Sequence, residues 1–173
     1  MASITRCLRA ARPAAFSAVA RNSAPRTISA RAFSVTASNA IKRYTKEHEW
    51  IDISADKKTG VLGISEYAAK QLGDIVYVEL PEEGKEVKVG DAIGAVESVK
   101  SAADINAPVS CKITHINSFL EEKPGNINQV AEDDSHGGGW IAKVELTEQG
   151  LEDFEQMMDV AAYKEFTAAE EEH

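Results

Sequence analysis

The stretch Gly94-Ala95-Val96-Glu97-Ser98-Val99-Lys100-Ser101-Ala102 reads as a β-hairpin with one lysine at its tip. Apolar residues Ala92, Ile93, Ala95 and Val96 lead into it, and a second short run (Ile105, Pro108, Val109) follows. A lysine so placed is exposed, and its flexible stem ends in an amine that can be acylated. Acylation would erase the charge and hang a group on a long arm. An exposed lysine between strands is ordinarily a solubilising residue, so its surroundings must decide.

Those surroundings are short apolar runs separated by turn signals, the pattern of a mainly β body. His48 to Ile53 alternates, and Asp56 to Gly60 turns the chain into Val61-Leu62-Gly63-Ile64. Ser65 to Gly73 is predicted as a short helix, with Ser65 as N-cap, Glu66 at the positive end of the dipole and Gly73 at the left-handed stop. Asp74 to Leu80 is the clearest strand, followed by turns at Pro81 to Gly84 and at Gly90-Asp91. Beyond the hairpin, Val109 to Ile116 is a strand, Ser118 to Pro124 a short helix stopped by Pro124-Gly125, and Trp140 to Leu146 the last strand. From Thr147 the pattern is helical: Leu151, Phe154 and Met157 or Met158 share one face, and Val160, Tyr163 and Phe166 suggest a second helix before a frayed tail from Ala168.

Charge divides the chain. Residues 1–46 carry nine Lys and Arg and no carboxylate, whereas from Glu47 onward 28 acids face ten bases. The first part, with Arg6, Arg9, Arg12, Arg21, Arg26 and Arg31 among Ser and Ala, has the composition of a mitochondrial transit peptide, which predicts residence in the mitochondrial matrix. Arg31-Ala32-Phe33 suits a cut after Phe33, and the run to Thr36 equally suits a two-step cut ending after Ala40. The expected organisation is therefore residues 1–40 as transit segment, 41–146 as the β domain and 147–173 as a helical segment packed on it. No apolar run approaches the ~20 residues needed to span a bilayer. The acidic remainder excludes nucleic acid as a partner, since that demands clustered Lys and Arg. Acidity instead favours docking to basic protein surfaces.

Past the transit segment a single cysteine, Cys111, remains, with no CxxC pair and no Cys/His cluster at metal spacing. Gly137-Gly138-Gly139 lacks the following Lys-Ser or Lys-Thr and the helix of a phosphate loop. His48 and His115 read as strand residues, His48 packed by Trp50. No nucleophile–base arrangement can be assembled, so any redox chemistry has to come from an attached group.

The landmarks Tyr44, His48-Glu49-Trp50, Gly63-Ile64-Ser65, Gln71-Leu72-Gly73-Asp74, Val76 to Pro81, Gly94 to Lys100, Ala107 to Ser110, Lys123-Pro124-Gly125, Gly139-Trp140 and Tyr163 run in order over ~120 residues. Together they resemble the H proteins of the glycine cleavage system. Biotin carriers prefer Met on both sides of the lysine, and lipoyl domains of 2-oxoacid dehydrogenases an Asp just before it; here Val99 and Ser101 flank Lys100, and Glu97 stands three residues before it. The resemblance implies a barrel-sandwich hybrid of two small sheets related by a pseudo-twofold axis, with C-terminal helices. It implies lipoate covalently bound to Lys100, with Glu97, Ser98, Val99 and Ser101 forming the attachment hairpin read by a lipoyl ligase or transferase. It also implies a non-catalytic monomeric carrier that takes an aminomethyl group from glycine decarboxylase to a tetrahydrofolate-dependent aminomethyltransferase and is reoxidised by dihydrolipoamide dehydrogenase. The carboxylates Glu49 and Asp104 are then expected near the docked arm, as acceptors for the ammonium of the load.

Two rival readings are a carrier in lipoate distribution and a non-lipoylated docking module, the latter predicting no effect of Lys100→Arg. The chain departs from the resemblance at Cys111, where Gly is usual, and at Gln71, where His is common. A glycine at 111 would permit a bulge or positive φ that cysteine tolerates poorly, which leaves the local geometry there open.

Overall fold

The hairpin is formed by β6 (Ala92–Ser98) and β7 (Ala102–Asn106), which pair antiparallel with Glu97 opposite Ala102 and Ala95 opposite Asp104. The structure, a computed structural model, describes residues 41–171. The expected transit segment and its cut sites lie outside the described residues. Pairing β4 (Ile75–Glu79) to the far side of β6 completes a three-stranded sheet in the order β4-β6-β7. A second, six-stranded sheet runs β1-β2-β3-β9-β8-β5, built from Ile41–Tyr44, Glu49–Ile53, Thr59–Ile64, Ala142–Leu146, Cys111–Ile116 and Glu86–Val87 in that spatial order. Both sheets are antiparallel throughout.

One apolar core joins the two sheets. Ile51, Ile53, Leu62, Ile113 and Val144 of the larger sheet share it with Ile75, Val78, Val96 and Ile105 of the smaller, and Leu120, Ile127 and Phe154 add to it from helices. Each fully buried aliphatic side chain contributes roughly 1.5–3 kcal/mol by leaving water, so the hairpin is rooted at Val96 and Ile105 rather than floating. Tyr44, Trp50, Trp140 and Tyr163 form a second cluster, with the Tyr44 and Tyr163 rings stacked 4.2 Å apart.

Local signals set the helices that position the hairpin. Helix α1 (Glu66–Leu72) starts where Ser65 Oγ accepts the Ala68 N–H at 3.1 Å, as its sequence predicts. It ends at Gly73, whose φ of +77° is positive but whose ψ of −149° lies outside the left-handed helical well, in a region open only to glycine. Pro124 stops the short helix as expected and also starts the next turn. After α2 (Phe119–Glu122) it opens a 3-10 turn (Pro124–Asn126) that leads directly into α3 (Ile127–Val130), because proline at the first position of a turn loses no needed N–H. Helix α4 (Glu148–Gln156) is capped by Thr147 Oγ1, which accepts from Gly150 N, and α5 runs Val160–Glu171.

The geometry left open at Cys111 is settled by its strand. The residue is fully buried in regular β8 pairing, opposite Val87 and Leu146, with no positive φ; the bulge of that strand falls between Ile113 and His115. A small apolar thiol fits a closed strand interior, so no distortion follows from the missing glycine.

Candidate functional site

Ser98 closes the tip. Its N–H donates to Ser101 O at 2.7 Å, and its hydroxyl donates to the same carbonyl at 2.9 Å. The hydroxyl oxygen accepts from Ser101 N at 3.0 Å and Lys100 N at 3.3 Å. Two-residue hairpin loops usually need positive φ at the central residues, yet neither Val99 nor Lys100 has it. The serine side chain supplies bonds that a mirror-image turn would have made from backbone, which is the physical content of Ser98 in the motif.

The tip is also tied sideways. Val99 N donates to Asp74 O at 3.1 Å, joining the loop to the segment that leaves α1. That segment is held by Asn128 of α3: its Nδ2 donates to Gly73 O at 2.7 Å, and its Oδ1 accepts from Ile75 N at 3.0 Å. Over Gly73 lies the stem of Lys100, close enough that a Cβ on residue 73 would sit 3.2 Å from Lys100 Cε. Lys100 itself is exposed and makes no ion pair among the described residues. A lysine with a free amine on a fixed turn, passing over a backbone strip that lacks a side chain, has room for an acyl group on Nζ.

The two carboxylates expected beside the arm differ in kind. Asp104 is exposed on β7 and lines an open cleft of about 290 Å³ with Glu79, Glu82, Lys85 and Ala95. Glu49 is 2% exposed, and its carboxylate is already engaged: Oε1 accepts from Asn106 N at 3.0 Å, and Oε2 accepts from the Thr45 hydroxyl. Through these bonds the Glu49 side chain fixes the end of β7, two residues beyond Asp104. Glu97 is exposed and faces Tyr77 across the β4–β6 pair.

The glycine cleavage H-protein family matches residues 42–170 of this chain. The glycine cleavage system H protein of Thermotoga maritima is 45% identical over 130 residues, covering 75% of this chain and 98% of that protein. Glycine cleavage system H protein 4 of Aquifex aeolicus is 46% identical, covering 75% and 73%. A crystal structure of the H protein of Mycobacterium marinum superposes with a TM-score of 0.63 at 32% identity, covering 75% of this chain and 98% of that one.

The chain belongs to the glycine cleavage H-protein family. H proteins are carriers, not catalysts, and this chain is a carrier on the barrel-sandwich fold of that family. Burial pushes the Cys111 thiol up to about 12, which leaves it protonated and unreactive at neutral pH. His48 is neither a strand residue nor packed by Trp50 as expected. It precedes β2 with φ of +73°, its Nδ1 lies 2.9 Å from the Tyr163 hydroxyl and its Nε2 3.3 Å from Glu170, among the rings of Tyr67, Tyr163 and Phe166. Its work is to hold α5 against the sheet. His115 is exposed beside the β8 bulge. Asn128 is the site residue that motif reading passes over, its only sequence signal being an amide in a turn-rich stretch, while Gly73 reads as a helix stop and not as a strip under the lysine.

Proposed function

We propose that Lys100 carries lipoate in amide linkage and that the chain is the shuttle of the glycine cleavage system. Its partners in that role are glycine decarboxylase, the tetrahydrofolate-dependent aminomethyltransferase, dihydrolipoamide dehydrogenase and the enzyme that attaches the lipoate. The observation that carries this reading is the free Lys100 amine on a doubly braced hairpin in a chain of this family. When bound, lipoate supplies a dithiolane able to take up a one-carbon amine and two electrons, chemistry the side chains of this protein do not provide. The protein contributes presentation. Ser98 and Asp74 hold the attachment point still, and tethering turns each encounter of cargo with a docked partner into an intramolecular event. Asp104, exposed on the strand beside Lys100, is the carboxylate available to an ammonium on the arm.

The same reading puts the protein in the mitochondrial matrix. Its support is the run of 46 residues without a carboxylate and a family match that starts only at residue 42. Intact and peptide mass measured on protein from its native mitochondria tests both parts: a lipoyl increment on the Lys100 peptide, with an N-terminus near Ser34 or Ile41, is expected. Lys100→Arg should remove the increment and leave the fold intact, because the side chain is exposed. A bare Lys100 in cells competent to lipoylate would overturn the proposal.

A further inference from the structure

Strand β4 breaks the alternation that a half-buried strand should keep. Its residues run buried, exposed, exposed, buried, exposed, so Val76 and Tyr77 are outward one after the other at 53% and 52% exposure. A register shift between Ile75 and Tyr77 produces this: Ile75 lies opposite Ser98 and Tyr77 opposite Glu97, leaving Val76 without a partner on β6. Bulges of this kind re-aim side chains next to functional sites. Without the bulge one of the two apolar side chains would turn towards the core.

A third large hydrophobic completes the patch. Val99, immediately before Lys100, is 77% exposed. Its N–H is bonded to Asp74 O, so the tip is fixed beside the start of β4. Half of the exposed large hydrophobics among the described residues thus gather within three register positions of one lysine. The exposed acids Asp74, Glu79 and Glu97 rim them. An apolar centre with a charged rim is the anatomy of a protein-recognition surface. The acidic rim selects a partner with a basic rim and opposes a second copy of this chain, which would set acid against acid.

We infer that Val76, Tyr77 and Val99 form the surface on which the enzyme that acylates Lys100 seats. This rests on Lys100 being the attachment site. Acylation takes place at Nζ itself: the deprotonated amine attacks the carbonyl carbon of an acyl adenylate, and the C–N bond forms. The C–O bond to phosphate breaks, the adenylate leaves with that electron pair, and the proton lost from nitrogen passes to a base of the enzyme. An active site closed around Nζ must cover the residues beside the tip. Enzymes that act on the far end of the finished arm need not touch them, which is why the acylating enzyme, rather than a user of the arm, is the occupant.

The test uses the full chain with a purified lipoate-adenylating ligase, ATP and lipoate. The double variant Val76→Thr, Tyr77→Thr keeps strand-forming side chains but removes the apolar centre. Its kcat/KM for lipoylation should fall by at least about tenfold, mainly through KM. Val89→Thr, at an equally exposed valine beyond the opposite end of β6 from the tip, should match the wild type. After prolonged incubation to full lipoylation, reoxidation of the double variant by dihydrolipoamide dehydrogenase should equal that of wild type. Lipoylation within about twofold of wild type, or reoxidation falling in parallel with it, overturns the inference. Failure of the wild-type chain to accept lipoate at all would instead overturn the proposed function, and this inference with it.

Discussion

Asn128 holds both ends of the two-residue step by which the chain leaves α1 and enters β4, donating to Gly73 O at 2.7 Å and accepting from Ile75 N at 3.0 Å. Between those bonds lies Asp74, whose carbonyl receives the Val99 N–H of the hairpin tip. The lysine is therefore positioned by a side chain 28 residues further along the chain. The path runs through backbone, which deforms little, rather than through another flexible side chain.

Asn128→Ala should loosen the tip more than it destabilises the fold. Its side-chain bonds are to backbone, each worth about 0.5–1.5 kcal/mol net, so global stability should drop by roughly 1–3 kcal/mol. The sharper readout is amide hydrogen exchange. Protection at Val99 and Ile75 should fall, while core amides such as Val96 and Ile105 change only by the global amount. Equal loss at every amide would mean that Asn128 braces the whole fold and not the tip.

Gly73→Ala tests a different element of the same site. A φ of +77° with ψ of −149° is strained for any L residue, and the new Cβ would meet Lys100 Cε at 3.2 Å. The substitution should cost about 1–3 kcal/mol of stability. It should also displace the lysine stem, slowing acylation of Lys100. Denaturant unfolding and a lipoylation time course measure the two separately. Unchanged stability would show that the backbone here relaxes into an ordinary helix end.

How much of this could be read beforehand follows from the range of each interaction. The α1 N-cap, the turns at Gly84 and Gly90 and the two arms of the hairpin are set by neighbours in sequence, and each is where its residues indicate. Lys100 at the tip follows from the same local pattern. The fold itself was legible through the ordered set of landmarks from Tyr44 to Tyr163, which family resemblance reads and periodicity does not. What escaped was long-range. Glu49 looks like any surface acid until Asn106, 57 residues away, brings it a backbone N–H. His48 takes its positive φ and its partners from contact with Tyr163 and Glu170 on α5. The bulge at Val76 interrupts the clearest strand of the sequence, since register belongs to a pair of strands and not to either sequence alone.

Alkaline pH should destabilise the protein through groups whose ionisation burial opposes. Desolvation raises the Cys111 thiol from 9.0 to about 12. Burial likewise raises Tyr163 from 10.0 to about 12, against the Ser65 hydrogen bond, which pulls it down. Both groups are held neutral in the folded state and ionise earlier when unfolded. Their contribution is complete below pH 9 and is lost as pH rises from there towards 12. Melting temperature should therefore decline over that window, and less steeply for Cys111→Ala than for wild type. Parallel curves would remove Cys111 from the account. Cys111→Ser, which places a hydroxyl in a fully buried strand position, should cost about 1–3 kcal/mol at neutral pH if it finds no partner.

Glu49 separates charge from positioning. Glu49→Ala would orphan the Asn106 N–H and the Thr45 hydroxyl and leave a cavity, with an expected loss of roughly 2–4 kcal/mol. Glu49→Gln keeps an acceptor for Asn106 and offers its amide to Thr45 Oγ1, so it should lie within about 1 kcal/mol of wild type. The same pair of variants examines the lipoylated, loaded carrier. If Glu49 acts on the arm through its charge, hydrolytic loss of the one-carbon amine should be as fast in Glu49→Gln as in Glu49→Ala. If it acts by fixing the end of β7 beside Asp104, the Gln variant should retain its load like wild type. Asp104→Asn should then be the substitution that speeds the loss. Burial of Glu49 and exposure of Asp104 predict the second pattern, and release of ammonia and formaldehyde from the loaded variants over time distinguishes it from the first.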